Sequence, residues 1–349
     1  NSEPLYQTGR AELALAELDR AGAFDRSHLL LISPTGTGWV DHTLIEAAEL
    51  LTRGDIATCC IQYARYPSFL SIQKVALGRG QFRLLLWGVK QRLAGLPPEG
   101  RPRVLVFGES MGAWTSSDVV MYQGIDGFDH YGIDRALWVG MPWLAKWSRS
   151  GMIRGSHTLV PSGTVGVFDR HEQLEQLTDE QLARMRAVIV SHDNDPIAVF
   201  GPDLLVQRPP WLADGQRGRG VPGAMRWLPL ITFIQTATDA MNAMLTIPGE
   251  FASFGHDYRA DMAQFVRDVY DLPATDSQLE RIEQLLRSLE LERAERIKAE
   301  HPHAAPPAPA HRSSRGTMHA GVPVRSRQTL GARLRRREGR QPSDRQIDT

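Results

Sequence analysis

Short apolar runs recur along the first two hundred residues, separated by longer stretches that mix apolar and charged positions. The runs are rich in aliphatic and β-branched side chains, which is typical of strands buried on both faces. The predicted strands are Leu29–Ser33, Ile56–Tyr63, Val104–Phe107, Ala136–Val139 and Ala187–Val190. Helical patterns fill most intervals, at spacings that require crossover connections. The alternation predicts an α/β fold, with a doubly wound, mostly parallel sheet and helices on both faces.

Capping residues and apolar periodicity locate the helices. Asp41 can cap the helix that runs to about Arg53, and Thr178 with Gln181 forms a capping box for a short helix. The other predicted helices are Glu12–Ala21, Gly78–Leu93, Ala113–Met121, Met225–Met244, Gly255–Tyr270 and Thr275–Glu300. The last of these carries Leu279, Ile282 and Leu286 on one face, as an amphipathic helix does.

Two segments depart from the alternation and are interpreted as cap or lid excursions. Residues 144–170 have hairpin character, with Val165 to Phe168 as the second arm, and are expected to lie outside the main sheet. Residues 197–250 are rich in Pro and Gly in their first half. The expected organisation is a domain over residues 1–272 with these two excursions, then an amphipathic helix over 273–300.

The last part of the chain has a different composition. Residues 301–349 are rich in Pro, Ala, Ser and Arg, and we expect them to be disordered because they cannot bury enough apolar surface. They carry ten Arg and three acidic residues, so this tail is +7 and residues 1–300 are −7, within a chain of zero net charge. The folded part therefore has no basic nucleic-acid footprint. The cluster from Arg333 to Arg337 would allow the tail to bind anionic lipid.

A nucleophile motif follows the third predicted strand. Gly108-Glu-Ser110-Met-Gly112 comes directly after Val104–Phe107 and before a predicted helix. Strand, tight turn and helix, with a serine at the apex, are the context that a nucleophile elbow requires. The alternative is a glycine-rich turn that carries an ordinary serine.

A serine nucleophile needs a base, usually a histidine that a carboxylate orients. In elbow-type folds the chain order is serine, then acid, then histidine. Asp193 and Asp195 both follow the strand at Ala187–Val190, and we favour Asp195 because Pro196 stiffens the loop after it. His256 is the histidine that lies after these acids and before the tail. The predicted catalytic residues are therefore Ser110, Asp195 and His256.

Other residues complete the candidate site. The amide of Met111 and an amide of the Thr35–Gly38 loop, with Thr37 favoured over Gly36, are expected to form an oxyanion hole. Glu109 is interpreted as a structural residue, with a role as an auxiliary acid as the alternative. The candidate substrate-binding residues, which could equally be packing residues, are Trp39, Trp143 and Trp147.

Some classes of site and location are not favoured. Cys59 and Cys60 are adjacent in an apolar run and are expected to be reduced core residues, and no cofactor is expected. A metal site at His192, Asp193 and Asp195 is considered less favourable than a solvated turn, since no second ligand cluster accompanies it. The chain has no apolar run long enough to span a bilayer, and it opens on Asn1 without a signal peptide. We expect a fragment or processed form of a longer protein.

Several sequence blocks resemble a bacterial, largely actinobacterial group of α/β-hydrolase domains of unknown substrate. The blocks are Phe24–Arg26, Pro34–Asp41, Gln62–Tyr63, Phe107–Gly112, Asp195–Ile197, Pro202–Leu205, Met225–Pro229 and Gly255–His256. The resemblance implies the same catalytic residues, Ser110, Asp195 and His256. It also implies an upstream region of transmembrane helices, hence a membrane-associated parent protein with a soluble catalytic domain. The basic tail and absence of disulfides favour the cytoplasmic side.

The expected activity is that of a serine hydrolase, similar to an esterase or lipase, that cleaves a carboxylic ester or thioester with a hydrophobic acyl group. The alternatives are an acyltransferase that uses the same residues and a non-catalytic hydrolase-like module at a membrane. The expected partners are a small ester or lipid, no nucleic acid and a membrane; the oligomeric state is open. One departure from the wider superfamily is that no clean strand is predicted between Asp195 and His256, where the common fold has its last one.

Overall fold

A computed structural model of the chain describes residues 7–64, 72–155, 159–213, 215, 217–243, 247–252 and 254–300. These residues belong to one of the two units into which the chain divides, Asn1–Pro309. The predicted disordered tail at 301–349 lies outside the described residues, as do Thr158 and Met244. Within the described residues, no helix is long and apolar enough to cross a membrane.

A parallel sheet is the centre of the fold. Its strands are β1 His28–Ser33, β2 Ile56–Cys60, β3 Arg103–Glu109, β4 Arg135–Val139, β5 Val165–Phe168 and β6 Ala187–Val190. In the described residues these six form one sheet in the order β2-β1-β3-β4-β6-β5, and every pairing is parallel. The five strands predicted from the sequence are confirmed, although β2 ends at Cys60 rather than Tyr63.

Helices cover both faces of this sheet. Those described are α1 Gln7–Arg20, α2 His42–Leu51, α3 Val75–Ala94, α4 Met111–Val120, α5 Asp126–Tyr131, α6 Arg149–Arg154, α7 His171–Leu174, α8 Asp179–Arg184, α9 Pro196–Val199, α10 Pro229–Asn242, α11 Met262–Val269 and α12 Asp276–Glu300. The Asp41 cap of α2, whose carboxylate accepts from Thr43 N, and the Thr178–Gln181 capping box of α8 are both present.

The fold has two apolar cores, one on each face of the sheet, because successive side chains of a strand point to opposite faces. In β3, Val104 and Val106 point to the face covered by α1, α3 and α4, whereas Leu105 and Phe107 point to the face covered by α2, α11 and α12. The same alternation holds in the other central strands. Each strand is thus apolar on both faces, which explains the continuous apolar runs and confirms the doubly wound fold.

The direction in which successive strands are added to the sheet reverses after β2. β2 lies on one side of β1 and β3 on the other, and the helices that follow β1 and β3 cover opposite faces. Such a switch point opens a crevice at the carboxyl ends of the two strands. The Thr35–Gly38 loop after β1 and Ser110 after β3 both lie at this crevice.

Two sequence interpretations are wrong. Residues 165–168 are not the arm of a hairpin outside the sheet: they form β5, which pairs in parallel with β6 at the sheet edge. The helix predicted for Gly255–Tyr270 begins only at Met262, because residues 255–261 form a loop whose polar groups bond to the loop after β6. No strand is described between Asp195 and His256, as the sequence suggested.

Candidate active site

Ser110 occupies the turn between β3 and α4, beside the switch point of the sheet. Its φ of 53° and ψ of −120° are unusual for a residue with a side chain and cost about 1–3 kcal/mol. The flanking glycines allow the turn to pack closely. A Cβ on Gly108 would lie 2.6 Å from Ser116 Oγ, and one on Gly112 would lie 2.0 Å from the carbonyl oxygen of Ser33. The geometry is that of a nucleophile elbow.

Asp195 and His256 are brought together across 61 positions of the chain. His256 Nδ1 lies 2.8 Å from Oδ2 of Asp195, and both side chains are buried. Burial acts to raise the pKa of Asp195, but the nearby imidazole and the hydrogen bonds from His256, Tyr258 and the Ile197 amide outweigh it and hold the pKa below its ordinary value. An ionised carboxylate can only accept, so His256 Nδ1 carries the proton of this bond, and in the neutral imidazole Nε2 is then the acceptor.

Asp193 has other partners. Its carboxylate pairs with Arg149 and accepts the amide of Arg219 over 3.0 Å. The sequence left both acids open as the partner of His256, and in the structure Asp195 contacts it. Asp193 instead connects the surrounding loops to each other.

The serine and the histidine lie against the same short segment at the end of β4. The amide of Ser110 donates to Val139 O over 2.9 Å, and the imidazole of His256 packs on the next residue, Gly140. Among the described residues, Ser110 Oγ and His256 Nε2 are both buried and without a hydrogen-bond partner. The two atoms therefore make no hydrogen bond to each other in this conformation, although their residues lie against neighbouring backbone, and a nucleophile and its base must come within hydrogen-bond reach to react.

Two loops hold the acid and the base, and we name them for these residues. The acid loop is residues 191–195, after β6, and the base loop is residues 255–259. His192 Nδ1 lies 2.9 Å from the carbonyl oxygen of Gly255, and the amide of Gly255 donates to Asn194 Oδ1 over 2.9 Å. These bonds and the Asp195–His256 pair join the loops directly, so no strand is needed to position the histidine.

The oxyanion-hole candidates lie on both sides of the switch point. Met111 is the first residue of α4, so its amide has no partner within the helix. Thr37 is exposed in the tight turn after β1, in which the Gly38 amide donates to Thr35 O over 2.9 Å. The structure thus brings the loop of Thr37 to the elbow of Met111, since Gly112 packs on Ser33 at the end of β1.

The three candidate tryptophans have different environments. Trp147 is 2% exposed and packs in the core on the α4 side of the sheet, so the expectation of a substrate contact is corrected to core packing. Trp143 is half-buried and contacts Gly201, and Trp39 is 41% exposed with its ring edge-on to His42. Trp39 and Trp143 retain surface on which a substrate could pack.

A buried acidic group lies behind the elbow. Burial raises the pKa of Glu109 well above its usual range, and the charges of Asp41 and Asp257 add to this, against a smaller opposing effect of Arg259. Glu109 Oε2 is buried without a partner among the described residues. Its environment favours the neutral carboxylic acid, which removes a negative charge from the neighbourhood of Ser110. No group of His, Cys, Asp and Glu in the described part of the chain is arranged to hold a metal ion.

Sequence reasoning missed Tyr258, Asn194 and the role of His192. Their contacts join parts of the chain about sixty positions apart. Aromatic and polar residues next to a predicted base are the available signal, but they do not reveal which partner they contact.

The fold and the elbow define an α/β-hydrolase-type protein, and a comparison with family models agrees. A model described as the alpha/beta-hydrolase family matches residues 3–282, and the chain belongs to this family. No curated protein matches the chain.

The solved structures that match the chain share little sequence with it. A Trichoderma reesei cutinase in complex with a phosphonate inhibitor has 12% identity and a TM-score of 0.34, over 77% of this chain and 89% of the cutinase. Lysin B from Mycobacteriophage D29 has 14% identity and a TM-score of 0.28, over 77% of this chain and 90% of the lysin. An alpha-beta serine hydrolase homologue from Coxiella burnetii has 14% identity and a TM-score of 0.27, over 48% and 76%. At this level of similarity, only the chain's own residues indicate its activity.

Proposed function

We propose that this chain is a serine hydrolase that cleaves a carboxylic ester or thioester through an acyl-enzyme. The observation that carries the proposal is the hydrogen bond from His256 to Asp195, with Nε2 unoccupied and Ser110 on adjoining backbone. A serine hydroxyl is a weak nucleophile until a neighbouring base accepts its proton. Here the base, the residue that orients it and the hydroxyl are all buried at one edge of the sheet.

The reaction follows from these positions. Ser110 Oγ attacks the acyl carbon, and its proton passes to His256 Nε2. Asp195 remains ionised and stabilises the imidazolium that forms. The amides of Met111 and Thr37 stabilise the tetrahedral oxyanion. His256 then protonates the leaving group, and a water molecule activated by the same nitrogen hydrolyses the acyl-enzyme.

A hydrophobic acyl group is the substrate class that we propose. Trp39 is exposed and Trp143 is half-buried after strands β1 and β4, and aromatic side chains are common in acyl pockets. A panel of aryl esters with acyl chains of graded length measures the preference directly, and an added alcohol acceptor reports acyl transfer.

One observation favours a non-catalytic module as the second candidate. Ser110 is 1% exposed, so its hydroxyl is covered in this conformation. A catalytic serine must be reached by substrate, which requires the covering segments to move.

A fluorophosphonate probe separates these two functions. We expect it to label the wild-type chain and Ser117→Ala, which removes another buried serine hydroxyl from α4, and not to label Ser110→Ala. Labelling of Ser110→Ala would reject the assignment of the nucleophile. A folded wild-type chain that is never labelled would favour the non-catalytic module.

We also propose that the parent protein is associated with a membrane, as a member of the actinobacterial group that the sequence blocks resemble. The +7 tail supports this, because clustered arginines are attracted to anionic lipid. Binding of the whole chain to anionic vesicles, and its loss on removal of residues 301–349, is the result expected.

A further inference from the structure

Tyr258 lies two residues after His256 and reaches the same carboxylate. Its hydroxyl is 2.7 Å from Oδ2 of Asp195, the oxygen that also bonds to the imidazole. The phenol ring is 5% exposed. It stacks on His192 with ring centroids 4.2 Å apart, and it meets His256 edge-on at 5.8 Å. One side chain therefore contacts the acid loop, the acid and the base.

The direction of its hydrogen bonds is determined by its partners. The amide of His192 lies 3.2 Å from the Tyr258 hydroxyl oxygen and can only donate. The ionised Asp195 can only accept. The hydroxyl therefore accepts from His192 and directs its own proton at Asp195 Oδ2. Burial, reinforced by the Asp195 charge, raises the pKa of Tyr258 well above its usual range, so this proton is retained.

We propose that Tyr258 is a positioning residue of the candidate site, which fixes the Asp195 carboxylate in the orientation that His256 requires. The kinetic part of this inference rests on the proposed hydrolase function, whereas the structural part does not. In the contacts described, Tyr258 does not touch Ser110, and it acts through Asp195.

The construction of this site explains why such a residue is required. No strand is described between the acid loop and the base loop, so the contacts described for His256 come from side chains, loops and the Gly140 backbone. Asp195 Oδ1 accepts the Ile197 amide over 2.8 Å, and the two carboxylate oxygens turn together about the Cβ–Cγ bond, so a rotation that breaks this bond also takes Oδ2 away from His256. A second donor on Oδ2 opposes that rotation. Because Tyr258 and His256 both belong to the base loop, the Asp195 carboxylate also accepts hydrogen bonds from two positions of that loop.

The variant Tyr258→Phe removes this donor and retains the ring. Its matched control is Tyr270→Phe, which removes a buried hydroxyl that donates to the Val106 carbonyl in the sheet, 2.9 Å away. Tyr258→Phe loses the bond to Asp195 and the bond from the His192 amide, and Tyr270→Phe loses the bond to Val106, so both should have a lower Tm. Only Tyr258→Phe should alter the site.

Two measurements on the whole chain test the proposal. By NMR, exchange of the His256 Nδ1 proton with water should be about threefold to tenfold faster in Tyr258→Phe, the range for loss of one hydrogen bond, and unchanged in Tyr270→Phe. In ester hydrolysis, kcat should fall by a similar factor while KM stays the same, because ground-state binding is not affected.

The outcomes separate the two proposals. Unchanged Nδ1 exchange in Tyr258→Phe, or an equal change in Tyr270→Phe, would overturn the positioning role whether or not the chain hydrolyses esters. Faster exchange in Tyr258→Phe alone, in a folded chain whose wild type is never labelled by fluorophosphonate, would support the positioning role and reject the proposed function.

Discussion

The imidazole of His256 packs directly on the backbone of Gly140. A Cβ at Gly140 would lie 2.5 Å from His256 Cε1 and 2.8 Å from Tyr258 Cε2, and its φ is 59°. Gly140 follows Val139, whose carbonyl accepts the Ser110 amide. The end of β4 therefore contacts both the candidate base and the candidate nucleophile.

Gly140→Ala should displace the His256 ring. A shift of about 1 Å at a catalytic group can reduce the rate about 100-fold, and we expect a loss of kcat of that order. Gly132→Ala is the control, because Gly132 has a similar φ of 70° and open space around the position of a Cβ. It carries the same backbone strain without the clash. Equal kcat values for the two variants would show that the contact with His256 does not position the base.

Asp195→Asn should be far more damaging than Asp193→Asn. A neutral carboxamide at position 195 cannot orient the imidazole as the carboxylate does, and loss of the corresponding acid in a serine protease reduces kcat about 10⁴-fold. Asp193 pairs with Arg149 and the Arg219 amide rather than with His256. Its amide variant should retain kcat within about tenfold. The reverse order of the two kcat values would assign the acid to Asp193.

The elements that could be predicted from the sequence are those whose signals are local. A buried strand, two glycines and a helix start identify the elbow within ten residues, and chain order then points to His256. The extended segment Val165–Phe168 was predicted but placed outside the sheet, because its partner, β6, lies about twenty positions away. A turn between short apolar arms looked like a hairpin, whereas the strands pair in parallel after a crossover.

The contacts that hold His256 in place could not be predicted for a related reason. They depend on Asn194, His192 and Tyr258, whose bonds form only after the acid loop and the base loop meet. Trp147 shows the same limitation, because nothing in its neighbours separates a core ring from a ring in a binding cleft. Burial in the core is a property of the assembled helices.

Glu109→Gln should change how stability depends on pH. The pKa of Glu109 is raised in the fold, mainly by burial, so the folded state binds this proton more tightly than the unfolded state. Its contribution to stability is full below the unfolded pKa of about 4.3 and is lost as the pH rises through the folded pKa. Gln is neutral at every pH, so between neutral and alkaline pH the Tm of the variant should fall less than the Tm of the wild type.

Melting curves from pH 5 to 10 test this expectation for Glu109, with the exposed Glu49→Gln as control. Parallel curves for the wild type and Glu109→Gln would contradict it. The same variant separates the two roles considered for Glu109. If the group is structural, kcat should stay within about threefold, and a much larger loss would favour an auxiliary acid.

Glu290 of α12 should control stability on the acid side. Its buried carboxylate accepts Arg259 Nη1 over 2.8 Å, His42 Nε2 over 2.9 Å and the Gly249 amide over 3.1 Å. Burial opposes ionisation, but these hydrogen bonds and charges, with Arg293, lower the pKa of Glu290 to about 2. Its contribution is therefore present above the unfolded pKa of about 4.3 and is lost as the pH falls towards 2.

Glu290→Gln should lower Tm by roughly 5 °C at pH 7 and reduce the further loss of Tm between pH 5 and 3, because the variant has no carboxylate there to protonate. The control is Glu292→Gln, an exposed change on the same helix, which should follow the wild-type curve. Since Arg259 closes the base loop, Glu290→Gln should also reduce kcat at pH 7, and Glu292→Gln should not. If Glu290→Gln lost as much Tm between pH 5 and 3 as the wild type, or if both variants lost equally less, this buried ion pair would not govern acid stability.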